Sequence, residues 1–125
     1  MIQLDTNVLI ALPHLIRQNH PFIERIAKGE SASACVAVWY EYLIGPLESG
    51  EQELALQFVR KDVFALEMED AILAARMFNL AGRKRGLKTD TLIAAAAIRR
   101  DAELFTLNAG DFLPFVKQGL RLFNG

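Results

Sequence analysis

The side chains able to do chemistry are a set of separated acids. Asp5 follows Met1-Ile2-Gln3-Leu4, Glu41 stands between Tyr40 and Tyr42, Asp90 follows Thr89, and Asp111 comes shortly after Asn108. Carboxylates held close together repel one another and take up protons unless a cation neutralises them. Hard Mg²⁺ or Mn²⁺ ions prefer such oxygen donors. A divalent ion held that way activates water toward a phosphodiester and stabilises the leaving oxygen. No histidine pair, zinc spacing or nucleophilic serine motif competes for the role. Taken singly, each acid has a plainer reading. Asp5 before Thr6-Asn7 and Asp90 after Thr89 suit helix caps, Glu41 a solvated helix position, and Asp111 a turn.

Their joint placement comes from the elements that carry them. Residues 1–5 read as a short buried strand that stops at Asp5-Thr6-Asn7, with Asn7 suited to cap the helix begun at Val8, which Pro13 ends or bends. His20-Pro21 restarts a helix that Gly29 closes. Residues 31–36 suit a second buried strand. Residues 37–44 then form a helix with Glu41 near its apolar face, terminated by Gly45-Pro46. A helix over 51–60, a brief strand over 63–66 and a helix over 69–80 come next. Thr89-Asp90 opens a helix whose body, 92–98, is apolar nearly all round and therefore central. Residues 103–107 and 120–123 complete the strands, with a turn at 108–111. Strands alternating with helices predict an α/β fold around a mainly parallel sheet. In such sheets, ligand sites gather outside the carboxyl ends of strands, where Asp5 and the 108–111 turn both fall.

Bulk properties narrow the class. The 125 residues suit one compact domain over 1–125, and 52% hydrophobic content supports a sizeable core. The formal charge of -1 excludes a globally basic nucleic-acid binder. It leaves room for a local basic patch, and Arg83, Lys84, Arg85 and Lys88 form one just before Asp90, to be weighed against a merely solvated loop. The one cysteine, Cys35, excludes an internal disulfide and suits a reducing compartment. The N-terminus lacks a signal-peptide pattern, and the longest apolar run is far short of the roughly 20 residues a bilayer needs. The expectation is a cytoplasmic protein with no membrane association. His14 and His20 read as surface residues and Trp39 as core.

The anchors Leu4-Asp5-Thr6-Asn7-Val8-Leu9, Glu41 with Leu43-Ile44-Gly45, and Asp90-Thr91-Leu92-Ile93-Ala94-Ala95 occur in an informative order. Thr106-Leu107-Asn108 with Asp111-Phe112, then Gly119-Leu120-Arg121-Leu122, complete it. Over nearly the whole chain the sequence resembles PIN-domain ribonucleases, in particular the VapC-like toxins of type II toxin–antitoxin systems. The resemblance implies a three-layer α/β/α sandwich and a metal-dependent endoribonuclease. It carries Asp5, Glu41 and Asp90 onto three acidic metal-site positions and Asn108 onto a fourth catalytic position that is often Asp. Asp111 stands by as a further metal ligand, and Thr6 and Thr106 match hydroxyl positions lining the site, where Asn7 joins them in support. Cys35 and Val38 depart from a usual Ser and Thr, which leaves the helix over 37–44 without a side-chain cap.

The same resemblance implies Mg²⁺ (or Mn²⁺) as cofactor, RNA as substrate with Arg83, Lys84, Arg85 and Lys88 meeting its phosphates, a homodimer, and an antitoxin partner. Leu12, Leu15, Ile16 and Phe22 are the expected antitoxin surface. Two other classes stay open at this point. One is a catalytically weak module that grips RNA or a protein without cutting. The other is an aspartyl-phosphate phosphoryl-transfer enzyme, against which Asn7 counts, because that chemistry wants a second acid two residues after the first.

Overall fold

The structure is a computed structural model and describes residues 1–60 and 62–124. Five strands, β1 (Ile2–Leu4), β2 (Ala32–Cys35), β3 (Val63–Phe64), β4 (Glu103–Phe105) and β5 (Arg121–Leu122), form one sheet in the order β3-β2-β1-β4-β5. Every pairing is parallel, with Gln3 opposite both Ser33 and Leu104. Parallel strands cannot be joined by tight turns, so each connection carries helices. These are α1 (Thr6–Arg17), α2 (Pro21–Ala27), α3 (Val36–Leu43), α4 (Glu51–Phe58), α5 (Met68–Leu80), α6 (Lys88–Arg99) and α7 (Leu113–Val116). Helices on both faces bury β1 and β2 completely, so these strands read as apolar runs rather than as alternation. The result is the expected α/β/α sandwich.

From β1 the chain steps outward to β2 and β3, then returns through α5 and α6 to place β4 on the other flank of β1. Connections leave β1 and β4 in opposite directions, which opens a crevice at the carboxyl ends of those two strands.

The core explains several local differences from the sequence pattern. Helix α1 does not end at Pro13 but runs to Arg17. A helical proline costs about 3 kcal/mol. Leu12 and Leu15, at 1% and 3% exposure, return about 1.5–3 kcal/mol each by burial, so packing carries the helix through. With Phe22 at 0% exposure, three of the four residues expected to form an antitoxin surface are instead core, and only Ile16 is exposed. Phe22 sits among Phe58, Phe105 and Phe123, with ring centroids 4.9–6.0 Å away. His14 is exposed, but His20 is half-buried. Its ring stacks on Phe105, and its Nδ1 accepts the Phe22 N–H at 3.0 Å to cap α2. Trp39 packs against the core beside Tyr42. Helix α7, with Pro114 in its first turn, has no counterpart in the sequence pattern, which predicts only the turn at 108–111 there.

Helix α6 is the central one, with Ile93 through Ala97 at 0% exposure. It begins at Lys88, so Asp90 lies in its first turn instead of capping it. Thr91 Oγ1 donates back to the Leu87 carbonyl at 2.6 Å. The Gln3 side chain, buried on the sheet, donates to the Ile93 carbonyl at 2.9 Å and ties α6 to β1. No helix among the described residues is long and apolar enough to cross a membrane.

Candidate active site

Each acid reaches the crevice for a local reason. Asp5 is the last residue before α1 and its N-cap. Its backbone N–H pairs with the Phe105 carbonyl at 3.0 Å, continuing the β1–β4 ladder, and its Oδ1 accepts the Thr6 N–H at 2.8 Å. Strand β2 ends at Cys35 and turns directly into α3, which has no side-chain cap, as Cys35 and Val38 lead one to expect. Glu41 projects from the second turn of α3. Asp90 comes from the first turn of α6, and Asp111 from a single 3-10 turn after β4.

Asp5, Thr6, Asn7, Ile10, Glu41, Asp90, Asn108, Asp111 and Phe112 line one open cleft of about 270 Å³. Acids from four separate stretches of the chain are thus neighbours in space. No lysine, arginine or histidine is among those lining residues. Neutral donors hold three of the acids. Thr106 Oγ1 donates to Asp5 Oδ2 at 2.8 Å, Thr6 Oγ1 to Glu41 Oε1 at 2.8 Å, and Asn108 Nδ2 to Asp111 Oδ2 at 2.6 Å. Asp90 makes no side-chain hydrogen bond among the described residues.

These contacts set the electrostatics. Burial raises the Asp5 pKa, the Thr106 and Thr6 hydrogen bonds oppose the rise, and the charges of Glu41 and Asp111 add to it. Asp90 has no such compensation. Burial first, then the charges of Asp5, Asp111 and Glu41, push it up to about 6 from an ordinary 3.8. Beneath the cleft, the buried Cys35 thiol is pushed up by burial and by the Asp5 charge, so it stays neutral.

Among the described residues, no three His, Cys, Asp or Glu side chains are arranged to hold a metal ion by themselves. The acids ring an open space rather than closing a cage. That arrangement and its donor chemistry fit an ion such as Mg²⁺, which keeps several waters and binds through a few carboxylates together with a ligand's phosphate. The uncompensated negative charge fits it too: burial first, and repulsion among the acids after it, raises the pKa values of Asp5 and Asp90, and a divalent cation would relieve the repulsion.

Other candidates from the sequence fall differently. Asn7 does not cap α1, because Asp5 does. Asn7 lies inside the helix, where its Oδ1 accepts the Leu107 N–H at 3.0 Å and its Nδ2 reaches Thr106 Oγ1 at 3.4 Å. Asn108 spends its amide on Asp111, so Asp111 brings the fourth charge and Asn108 holds it. Arg83, Lys84, Arg85 and Lys88 are all exposed and none lines the cleft. The Arg83 side chain bonds Asn79 and lies over Phe78. Lys88 borders a separate shallow groove between α5 and α6. The sequence pattern does not single out Ile10 and Phe112, which form walls of the cleft. Ile10 is 58% exposed, an apolar residue on the outer side of an otherwise well-patterned helix, which is the signal that marks it.

Residues 2–113 match the family model of the PIN domain. The fold is similar to solved structures of FitAcB from Neisseria gonorrhoeae (19% identity, 99% of this chain and 97% of that one, TM-score 0.71). It is also similar to a toxin–antitoxin complex from Klebsiella pneumoniae (21%, 90% and 91%, 0.70). A third similar structure is VapBC2 from Rickettsia felis bound to a fragment of promoter DNA (22%, 100% and 99%, 0.66). At these identities the likeness is one of fold. No curated protein sequence matches the chain.

Proposed function

The chain belongs to the PIN domain family, and from that premise we propose that it is a Mg²⁺- or Mn²⁺-dependent endoribonuclease, the toxin of a toxin–antitoxin pair. The observation that carries this reading is the cleft in which Asp5, Glu41, Asp90 and Asp111 meet with no basic residue in its lining. A pocket for an anionic substrate would repel RNA if its acids stood bare. A divalent cation turns the same acids into an attraction for phosphate, and when bound it supplies Lewis-acid polarisation of the phosphodiester and charge neutralisation.

The chain's own residues divide the work. Asp5, Glu41, Asp90 and Asp111 would hold the ion. Thr106 and the Thr6 backbone orient Asp5, the Thr6 hydroxyl orients Glu41, and Asn108 orients Asp111. Asp90 has no competing donor among the described residues, so its carboxylate would be the one most free to turn to the ion. Arg83, Lys84 and Arg85, on the stretch leading into α6, and Lys88 at its first position would meet phosphates on either side of the cut.

The likeness to a solved toxin–antitoxin complex supports a cognate antitoxin as partner. With Leu12, Leu15 and Phe22 in the core, that partner's surface in this reading moves to the exposed apolar residues of the two helices beside the cleft, Ile10 on α1 and Val36 and Tyr40 on α3. A cytoplasmic homodimer completes the proposal. The test is cleavage of single-stranded RNA in Mg²⁺, Mn²⁺ or EDTA by the wild-type chain, Asp5→Asn and Asp90→Asn. Cleavage is expected only from the wild type and only with a divalent ion. Equal cleavage in EDTA, or by both variants, would overturn it, and RNA binding without cleavage in any metal would make the domain a binding module.

A further inference from the structure

Thr106 makes three hydrogen bonds at one atom. Its Oγ1 donates to Asp5 Oδ2 at 2.8 Å and accepts from Asn7 Nδ2 at 3.4 Å and from the Asn108 backbone N–H at 3.0 Å. A hydroxyl has one proton and two lone pairs. With two donors on the lone pairs, the proton is committed to Asp5, and Asp5 receives it as a carboxylate. Since Asp5 Oδ1 takes the Thr6 N–H, both oxygens are oriented and the rotamer is set.

The same hydroxyl reaches the other half of the cleft. Asn108, whose N–H it accepts, passes the constraint through its Nδ2 to Asp111 Oδ2. Asn7 braces the assembly from outside by bonding both Thr106 and the Leu107 N–H. Among the described residues it makes no hydrogen bond to any of the four acids. Asp5 and Asp111 line the same cleft with no basic residue in its lining, and like charges held together repel, so a neutral brace keeps them in place. Asp111 rides on a short turn past the end of β4, outside the residues that pair in that strand.

We propose that Asn7 and Thr106 are positioning residues, a neutral clamp between the first turn of α1 and the turn after β4 that sets Asp5 against Asp111 and thereby the cleft's affinity for a divalent cation. This rests on the metal-nuclease reading above. The clamp replaces what a fourth acid at position 108 would do directly: Asn108 brings no charge, so the charge comes from Asp111 and its placement comes from Thr106.

The experiment uses Asn7→Leu and Thr106→Val, both close in shape to the native residue and uncharged, with Thr106→Ser as the conservative control. The Leu107 N–H left free in Asn7→Leu is at an exposed residue and turns to water, so that variant should fold. Mn²⁺ binding is read from the electron paramagnetic resonance of the free ion, alongside melting temperature and cleavage of a single-stranded RNA oligonucleotide. Asn7→Leu and Thr106→Val are expected to weaken Mn²⁺ about 10–100-fold, as loss of groups that orient metal ligands generally does, and Thr106→Ser to restore most of it. Folded Asn7→Leu and Thr106→Val that bind Mn²⁺ like the wild type would overturn the clamp alone, as would a serine variant no better than valine. A wild-type chain that binds no Mn²⁺ would overturn the metal-nuclease reading and the clamp with it.

Discussion

Replacing Asp90 with asparagine should make the metal-free protein more stable while removing its use of a cation. Asp90 has a pKa of about 6 in the folded chain against an ordinary 3.8. The folded state therefore binds a proton more readily than the unfolded one, and stability falls as pH rises between those values. The cost is absent below pH 3.8 and complete above about 6. At 1.36 kcal/mol per pH unit it would reach about 3 kcal/mol. The carboxylate opens on a solvent-filled cleft, and screening brings this to about 1–2 kcal/mol. Asparagine keeps the shape without the charge. Urea unfolding in EDTA at pH 7.5 should thus show Asp90→Asn more stable than wild type by about 1–2 kcal/mol. The gain should shrink as pH falls through 6 and be nearly gone at pH 3.5. Adding Mn²⁺ at pH 7.5 should reverse the order, since an ion at about 100 times its dissociation constant stabilises its binder by about 2.7 kcal/mol and the variant lacks the ligand. A metal-free variant no more stable than wild type at pH 7.5, or a gain independent of pH, would refute the claim that burial and the neighbouring acids destabilise the Asp90 carboxylate.

Three further outcomes are expected. Stabilisation of the wild type by a fixed Mn²⁺ concentration should weaken from pH 7.5 to pH 5, because protons compete at Asp5 and Asp90, both of which have raised pKa values; thermal melts with and without the ion measure it, and equal shifts at both pH values would contradict it. Neutralising Arg83, Lys84, Arg85 and Lys88 together should weaken single-stranded RNA binding and flatten the slope of log affinity against log salt by up to about 3. An unchanged slope would leave these residues as a solvated loop. Phe22→Ala should cost about 3–5 kcal/mol in urea unfolding, since the ring is fully buried among three other phenylalanines; a loss under about 1 kcal/mol would mean that the site collapses around the gap.

Much of the frame is legible in the sequence because it rests on short-range signals. The period of Val8, Leu9, Leu12 and Leu15, the all-round apolar body of α6 and the punctuation at Gly29 and Gly45-Pro46 identify elements and their order within a few residues. Where sequence and structure part, a distant contact overrules a local preference. Pro13 does not stop α1, since Leu12 and Leu15 are held by the core. His20 is half-buried rather than fully exposed, since Phe105 arrives from far along the chain to stack on it. Asn7 has the chemistry of a cap because Asn caps helices well, but Asp5 already occupies that role.

The acids show the same division. Their identities and the resemblance of the stretches around Asp5, Glu41 and Asp90 are properties of the sequence alone, since carboxylates in that order have few other uses together. That they share one cleft was decided by the strand order β3-β2-β1-β4-β5, which brings the end of β1 beside the end of β4 and leaves a crevice at the point where the connections part. The roles of Asn7, Thr106 and Asn108 were also decided there. The bonds that join Asn7 and Asp5 to Thr106 and Leu107 link positions about a hundred residues apart and are only a few ångströms long, so they exist only once the sheet has closed that separation. Residue type and spacing along the chain set which groups are available; which of them meet is set by packing, because hydrogen bonds and charges act over ångströms and take no account of distance in sequence.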